Sequence, residues 1–184
     1  INDRLARSKN AQKLISLIEN NLLNSDALTP RIGPDLFTRE NFPLAIFNLT
    51  QLGPTLNYLD PNADPELNWG QICMISMIQS NFGNTYEENI NVLPVGDHLL
   101  LTISLIFRDK TATDKRLRHI SLVQFGLQIR NEFAKYLPNL EVLQSFQERL
   151  REEIDIPSML VSMDNMDKIH DKVLSILEEE ISYH

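Results

Sequence analysis

His98-Leu99-Leu100-Leu101-Thr102-Ile103-Ser104-Leu105-Ile106-Phe107 is the longest apolar stretch of this chain, and a second apolar run, Arg118 to Leu127, follows it. A run of this length, bounded by turn residues and broken only by Thr102 and Ser104, reads as a central strand covered on both faces. Arg108-Asp109-Lys110-Thr111-Ala112-Thr113-Asp114-Lys115 between the two runs is a polar hairpin loop. Centred on residues 111–112, that hairpin sets His119 opposite Ser104 and His98 near Phe125. On the other side, Gly96-Asp97 turns the chain back into Ile90-Asn91-Val92-Leu93-Pro94-Val95, so three strands follow one another antiparallel.

Working further outward, Pro43-Leu44-Ala45-Ile46-Phe47-Asn48-Leu49 and Thr55-Leu56-Asn57-Tyr58-Leu59 read as two strands around the turn Gly53-Pro54. Asp64, just before Pro65-Glu66, has the chemistry of an N-cap with proline at the first helical position. The spacing of Leu67, Ile72, Met74, Ile75 and Ile78 then predicts a helix that Gly83 stops. Beyond Ile129, the spacing of Phe133, Tyr136, Leu137, Leu140, Leu143, Phe146, Leu150 and Ile154 predicts a helix kinked or restarted at Pro138. Ile156 to Tyr183 repeats the helical pattern and predicts a closing helix, with Met159, Met163 and Met166 as an apolar stripe for its own core. At the other end, Leu14, Ile15, Ile18, Leu22 and Leu23 predict an amphipathic helix over residues 3–23, and the breakers Pro30, Gly33 and Pro34 a surface loop over 24–41.

The expected fold is therefore α+β: a five-stranded antiparallel sheet flanked by helices, with an N-terminal helix and a C-terminal helical extension. The expected division is residues 1–41 for the N-terminal helix and loop, 42–154 for the α+β domain, and 155–184 for a C-terminal helix packed on it. The order of two strands, a helix, three strands and a helix over residues 42–154 resembles the longin and roadblock family of domains. The residues that carry the likeness are the strand pair around Gly53-Pro54, the helix starting near Glu66, and the two runs His98 to Phe107 and Arg118 to Leu127. The resemblance implies a protein-protein interaction module that serves small GTPases or membrane-trafficking assemblies. A small GTPase or another longin/roadblock-like chain is then the expected partner, with homo- or heterodimers.

Composition fits a module of this kind. With 17 Lys+Arg against 25 Asp+Glu, the formal charge of −8 excludes a nucleic-acid binder that relies on a basic face. No stretch approaches the roughly 18 apolar residues of a membrane-spanning helix. The lone Cys73 gives no disulfide framework and fits a reducing, cytoplasmic setting. Residues 2–9 lack the apolar segment of a signal peptide, and a first residue other than Met is expected of a piece of a longer protein.

Catalytic patterns do not emerge. Cys73 lies in an apolar helix and reads as a small buried hydrophobe; His98, His119, His170 and His184 lack the spacing of a zinc site. The glycines form neither a P-loop nor a dinucleotide fingerprint. Glu87-Glu88 and Glu152-Glu153 read as solvated surface, and the sequon Asn48-Leu49-Thr50 falls in an expected buried strand. No enzyme activity and no cofactor are expected. The charge is polarised: in the hairpin loop Arg108, Lys110, Lys115, Arg116 and Arg118 stand against Asp109 and Asp114 for a net +3. Residues 141–184 carry 11 acids and 4 Lys+Arg. The basic five are accordingly the expected partner-binding residues. A PAS- or GAF-like small-ligand sensor is the alternative on the same sheet plan, and a structural subunit of a larger assembly is a third reading.

Overall fold

The computed structural model describes residues 36–50, 53–79, 81–82, 85–107 and 121–183. Five long strands are present: β1 (Leu44–Thr50), β2 (Gly53–Leu59), β5 (Ile90–Val95), β6 (His98–Phe107) and β7 (Ser121–Arg130). They form one antiparallel sheet in the order β2-β1-β7-β6-β5. The short strands β3 (Asn81–Phe82) and β4 (Thr85–Tyr86) pair separately. Among the described residues four α-helices accompany them: α1 (Trp69–Gln79), α2 (Leu140–Glu153), α3 (Ile156–Val161) and α4 (Met166–Tyr183). The protein is thus α+β with an open five-stranded antiparallel sheet. The expected N-terminal helix and most of the 24–41 loop lie outside the described residues.

The sheet separates two cores. On one face Leu99, Leu101, Ile103 and Leu105 of β6 join Val123, Phe125, Leu127 and Ile129 of β7, and α2 and α4 cover them with Phe146, Leu150, Val173, Ile176 and Leu177. On the other face Ala45, Phe47, Leu100 and Leu122 meet Trp69, Ile72, Cys73 and Met77 of α1. Gly126 lies where this second core is tightest: a Cβ there would stand 3.2 Å from both Leu100 Cδ1 and Phe47 Cε2.

The β6–β7 register differs from the one expected. Ile103 pairs with Phe125 and His98 with Arg130, whereas His98 was expected near Phe125. The physical reason is burial. The expected register would set Leu99 against Gln124 and Leu105 against Arg118, whereas the observed one sets Leu99 against Ile129 and Leu105 against Val123. The described part of this strand, Ser121–Arg130, runs on to Arg130, so Ile129 is not helical, while its expected start at Arg118 lies outside the described residues.

Other boundaries move for local reasons. Asp64 accepts from Glu66 N at 2.9 Å in a turn, but Asn68 Oδ1 accepts from Gln71 N at 3.1 Å, so the cap of α1 is Asn68 and the helix starts at Trp69. It ends at Gln79 because the next residues pair as the β3–β4 hairpin. Asn139 caps α2 by accepting from Val142 N, leaving a short 3₁₀ turn over Asn131–Tyr136 upstream of Pro138. The closing helix is two helices, α3 capped by Asp155 and α4, with a break at Ser162. Met159 and Met166 are buried in the main core.

Ile46 pairs with Tyr58 and Phe47 with Leu56, so Asn57 is the extra residue of a β-bulge. The bulge lets Tyr58 face the α4 side while Leu56 packs on the α1 side.

Candidate functional site

The outward face of α1 is the described surface whose composition is least like the rest of the chain. Asn68 sets the start of the helix, and Trp69 fixes its roll by donating Nε1–H to Asp64 O at 2.9 Å while its ring is buried. Ile72, Cys73, Ser76 and Met77 then point to the sheet. Met74, Ile75 and Ile78 are left outside, exposed by 46%, 46% and 62%. With Gln71 they share one side of the helix, because positions three and four apart lie on one face. Leu67 to Tyr86 contains no Asp, Glu, Lys or Arg, a run of twenty residues in a chain that is 23% charged. An amphipathic helix would place charge here. This helix is apolar on both sides, the composition of a helix meant to be covered.

Under α1 a polar strand of contacts crosses the core. Gln124 donates Nε2–H to Ser76 O at 3.2 Å and to Ser104 Oγ at 2.8 Å; Ser104 donates to Asn89 Oδ1 at 2.9 Å. Ser76, Ser104 and Gln124 are buried and Asn89 is half-buried, and these contacts tie the helix to the sheet. Burial pushes the Cys73 thiol up to about 11, which makes it a poor nucleophile.

The chemistry-bearing residues that the fold does assemble lie on the other face. His170, on the buried side of α4, places Nδ1 2.9 Å from Asp60 Oδ2 and Nε2 2.8 Å from Phe42 O. The carbonyl can only accept, so Nε2 carries a hydrogen, and the pair's other proton lies between Nδ1 and the carboxylate. Tyr58 donates to the same Oδ2 at 3.3 Å, and Asn62 N and Nδ2 donate to Oδ1 at 2.8 and 3.0 Å. Burial, then the charge of Asp60, pushes Tyr58 up to about 12. An Asp-His-Tyr set has the parts of a proton relay. Here His170 is 0% and Asp60 2% exposed, so no substrate atom reaches it, and it works as a clasp between α4 and the turns at Phe42 and Asp60. Outside the clasp, Arg39 donates to both oxygens of Asp171 at 2.7 and 2.6 Å and pairs with Asp167 at 2.8 Å. This holds the Asp171 carboxyl below the usual carboxylate range.

Arg108, Lys110, Lys115, Arg116 and Arg118, and also His119, lie outside the described residues. His98 is at the start of β6 with Nδ1 3.8 Å from Asp64 Oδ2. Among the described residues no three His, Cys, Asp or Glu converge as metal ligands, and no helix is long and apolar enough to cross a membrane. Two carboxylates read as solvated are engaged instead. Glu88 Oε1 accepts from Ile106 N at 2.9 Å and Oε2 pairs with Arg151, while Glu153 binds Arg149 and Lys172. A surface cleft of about 330 Å³ is lined by Arg149, Glu179, Glu180, Ser182 and Tyr183, and the Arg149 guanidinium is committed to three carboxylates.

The α1 face and the His170 clasp were missed by motif reading for opposite reasons. The α1 signal is an absence of charge rather than a pattern of residues. The His170 signal is position, since the residue falls in step with Met166, Val173, Leu174 and Leu177 on the apolar side of α4. Set against protein-family models, curated proteins and solved structures, the chain matches none of them.

Proposed function

We propose that this chain is a non-catalytic protein-protein interaction module of longin/roadblock-like plan, acting as a platform in small-GTPase regulation or a membrane-trafficking assembly. The observation that carries the interaction reading is the exposed, uncharged face of α1 at Met74, Ile75 and Ile78. Apolar side chains concentrated on one helix face mark a surface that another protein covers. The longin/roadblock-like part rests on the element order and on a sheet in which the first and last long strands, β1 and β7, are central neighbours. Among the described residues His170 and Asp60 are buried and Arg149 and Glu153 are paired, so these titratable groups hold the fold. The ligand-sensor alternative needs an open cavity against the sheet, and Phe125 and Phe146 fill one face while Phe47 and Trp69 fill the other.

The test is affinity capture from native lysate with GDP or a non-hydrolysable GTP analogue, using the wild-type chain and Ile78→Glu. Recovery of a small GTPase or a longin/roadblock-like chain, lost with Ile78→Glu, is the expected result. A capture of neither, together with a small molecule released on denaturation, would replace this reading with the ligand sensor.

A further inference from the structure

We infer that residues 3–23 of this same chain lie along the exposed face of α1 and cover Met74, Ile75 and Ile78 until a partner displaces them. The inference rests on the reading of that face as a partner surface and adds its regulation.

The first argument is apolar complementarity. Leu14, Ile15, Ile18, Leu22 and Leu23 share one side of the expected amphipathic helix, a stripe about 15 Å long at the helical rise. Gln71 to Ile78 runs about 12 Å along α1, so the two faces match in length. Among the described residues the other large apolar side chains left exposed are Leu140 and Tyr183, one on α2 and one on α4. Neither of those helices offers a second one beside it, so the stripe finds its match on α1.

The second is reach. Gln128 donates its backbone N–H to Pro43 O at 2.9 Å, and its Oε1 accepts from Asp64 N at 3.0 Å. The chain entering β1 and the turn leading to α1 therefore meet at one end of the sheet. Residues 24–35 join the stripe to Leu36, and a linker of that length spans up to about 40 Å when extended. Rounding the sheet to the outer side of a helix takes about 20 Å, one layer spacing and one helix diameter. Coming from that end, Leu23 lies by the start of α1 and Leu14 by Ile78, so the two segments run antiparallel.

The third is charge. The uncharged run Leu67 to Tyr86 is bounded by Glu66 and Glu87, and both are exposed. Residues 1–23 carry Arg4, Arg7, Lys9 and Lys13 against Asp3 and Glu19, a net +2 within a chain of net −8. In the antiparallel arrangement Lys13 and Lys9 run past Gln79 toward Glu87 and the carbonyl end of α1, where a cation is favoured. A second copy laid antiparallel on this face would instead set Glu66 of each against Glu87 of the other. The tether also gives the segment an effective concentration on the order of millimolar, so a partner reaches the face only by displacing it.

Hydrogen exchange of the full chain, read by mass spectrometry over residues 14–23, tests this. Exchange there should be at least about tenfold slower in the wild type than in Ile78→Glu, because a buried isoleucine contributes at least that factor. The wild-type rate should be the same at about 5 and about 200 μM protein, as a contact within one chain requires. Ile78→Leu should keep the slow exchange, and Ile18→Glu, on the stripe itself, should lose it. Unchanged exchange over β6 and β7 shows that each variant is folded, and Met74→Lys is the second variant should Ile78→Glu fail to fold. Fast exchange of 14–23 in the wild type overturns the inference, and so does slow exchange that neither Ile78→Glu nor Met74→Lys relieves. Protection that grows with concentration also overturns it, since a second copy is then the cover. If Ile78→Glu abolishes capture of a GTPase but leaves exchange over 14–23 unchanged, the covering segment fails and the interaction reading stands. If Ile78→Glu speeds that exchange while the wild type and Ile18→Glu capture nothing, the covering segment stands and the partner reading fails.

Discussion

Replacing His170 with leucine should cost more stability than almost any other single polar substitution in the described fold. The imidazole donates on one side to Phe42 O at 2.8 Å and faces Asp60 Oδ2 at 2.9 Å on the other, and neither His170 nor Asp60 is reached by water. Leucine fills much of the volume and removes both contacts. Asp60 keeps Tyr58 and Asn62 as donors but loses its charged or proton-sharing partner. Removing one member of a buried ionic pair typically costs about 3–5 kcal/mol, and a residual buried carbonyl adds about 1 kcal/mol. For a chain of this size each kcal/mol moves the melting temperature by roughly 2–4 °C, so a fall of at least about 6 °C is expected. Urea unfolding should be followed in parallel by far-UV circular dichroism and by the fluorescence of Trp69, the chain's one tryptophan, which reports the α1 core on the far side of the sheet. The cycle with Asp60→Leu is the sharper measurement. Because the two side chains share one interaction, the double variant should lose at least about 2 kcal/mol less than the sum of the singles. Losses below about 1 kcal/mol for His170→Leu, or strict additivity in the cycle, would refute the clasp.

Three further outcomes follow from contacts already described. Gly126→Val should destabilise by about 1–3 kcal/mol, since its branched side chain extends from a Cβ already 3.2 Å from Leu100 and Phe47; an unchanged urea midpoint would mean that the second core has room for the added side chain. Cys73 has its thiol raised from 9.0 to about 11, so the native state keeps a proton that the unfolded state loses. Its contribution is complete below pH 9 and declines as pH rises through that interval, and the wild-type urea midpoint should fall between pH 9 and 11 more steeply than that of Cys73→Ala. Glu88→Ala removes the acceptor of Ile106 N and releases Arg151, exposing part of the β6 edge. Light scattering should then show concentration-dependent strand-edge association that the wild type lacks, and equal scattering from the two proteins would show that the carboxylate does not guard the edge.

The strands were legible because their hydrophobic pattern is strong. Ile90–Val95 and His98–Phe107 lie where alternation and the Gly96-Asp97 turn put them, and Gly96 takes the positive φ of 60° that a two-residue hairpin needs at its first turn position. The β6–β7 register was legible in principle. Odd-numbered residues are apolar on both strands from Leu99 to Leu105 and from Val123 to Ile129, so only a pairing of odd with odd buries both sets. The length of the polar loop was the weaker guide, and it misplaced the strand. The start of α1 was obscured by two capping residues in succession, Asp64 and Asn68, of which the first serves a turn. Glu88 could not be read as an edge cap, because that role depends on β5 starting only at Ile90, opposite Ile103, while β6 runs on to Phe107. His170 needs a partner 110 residues away, and nothing local in a sequence announces such a pair.

The two faces of the sheet are built on different physical terms, and that difference gives the proposed platform its orientation. The α2/α4 face is closed by a large apolar core and fastened at its rim by ions: Arg39 to Asp167 and Asp171, and Arg149 to Glu153, Glu179 and Glu180. Such surface pairs add little stability each, but together they engage much of the acidic charge of α4 while the His170 clasp fixes the helix from within. Among the described residues the α1 face shows no comparable rim. Its helix is held by Trp69 and by the buried contacts of Gln124 with Ser76, and its outer side carries no ion that would need a counter-ion or a hydration shell. Covering it therefore removes apolar surface from water without desolvating charge, which is the least costly form of association available to a chain of net charge −8. A partner that needs charge pairing must dock elsewhere, and the basic stretch Arg108 to Arg118, net +3, is a candidate in the sequence. Apolar contact through α1 and an electrostatic contact through that loop can then operate together. Salt should separate them, since an ionic contact weakens with ionic strength and contact through Met74, Ile75 and Ile78 does not.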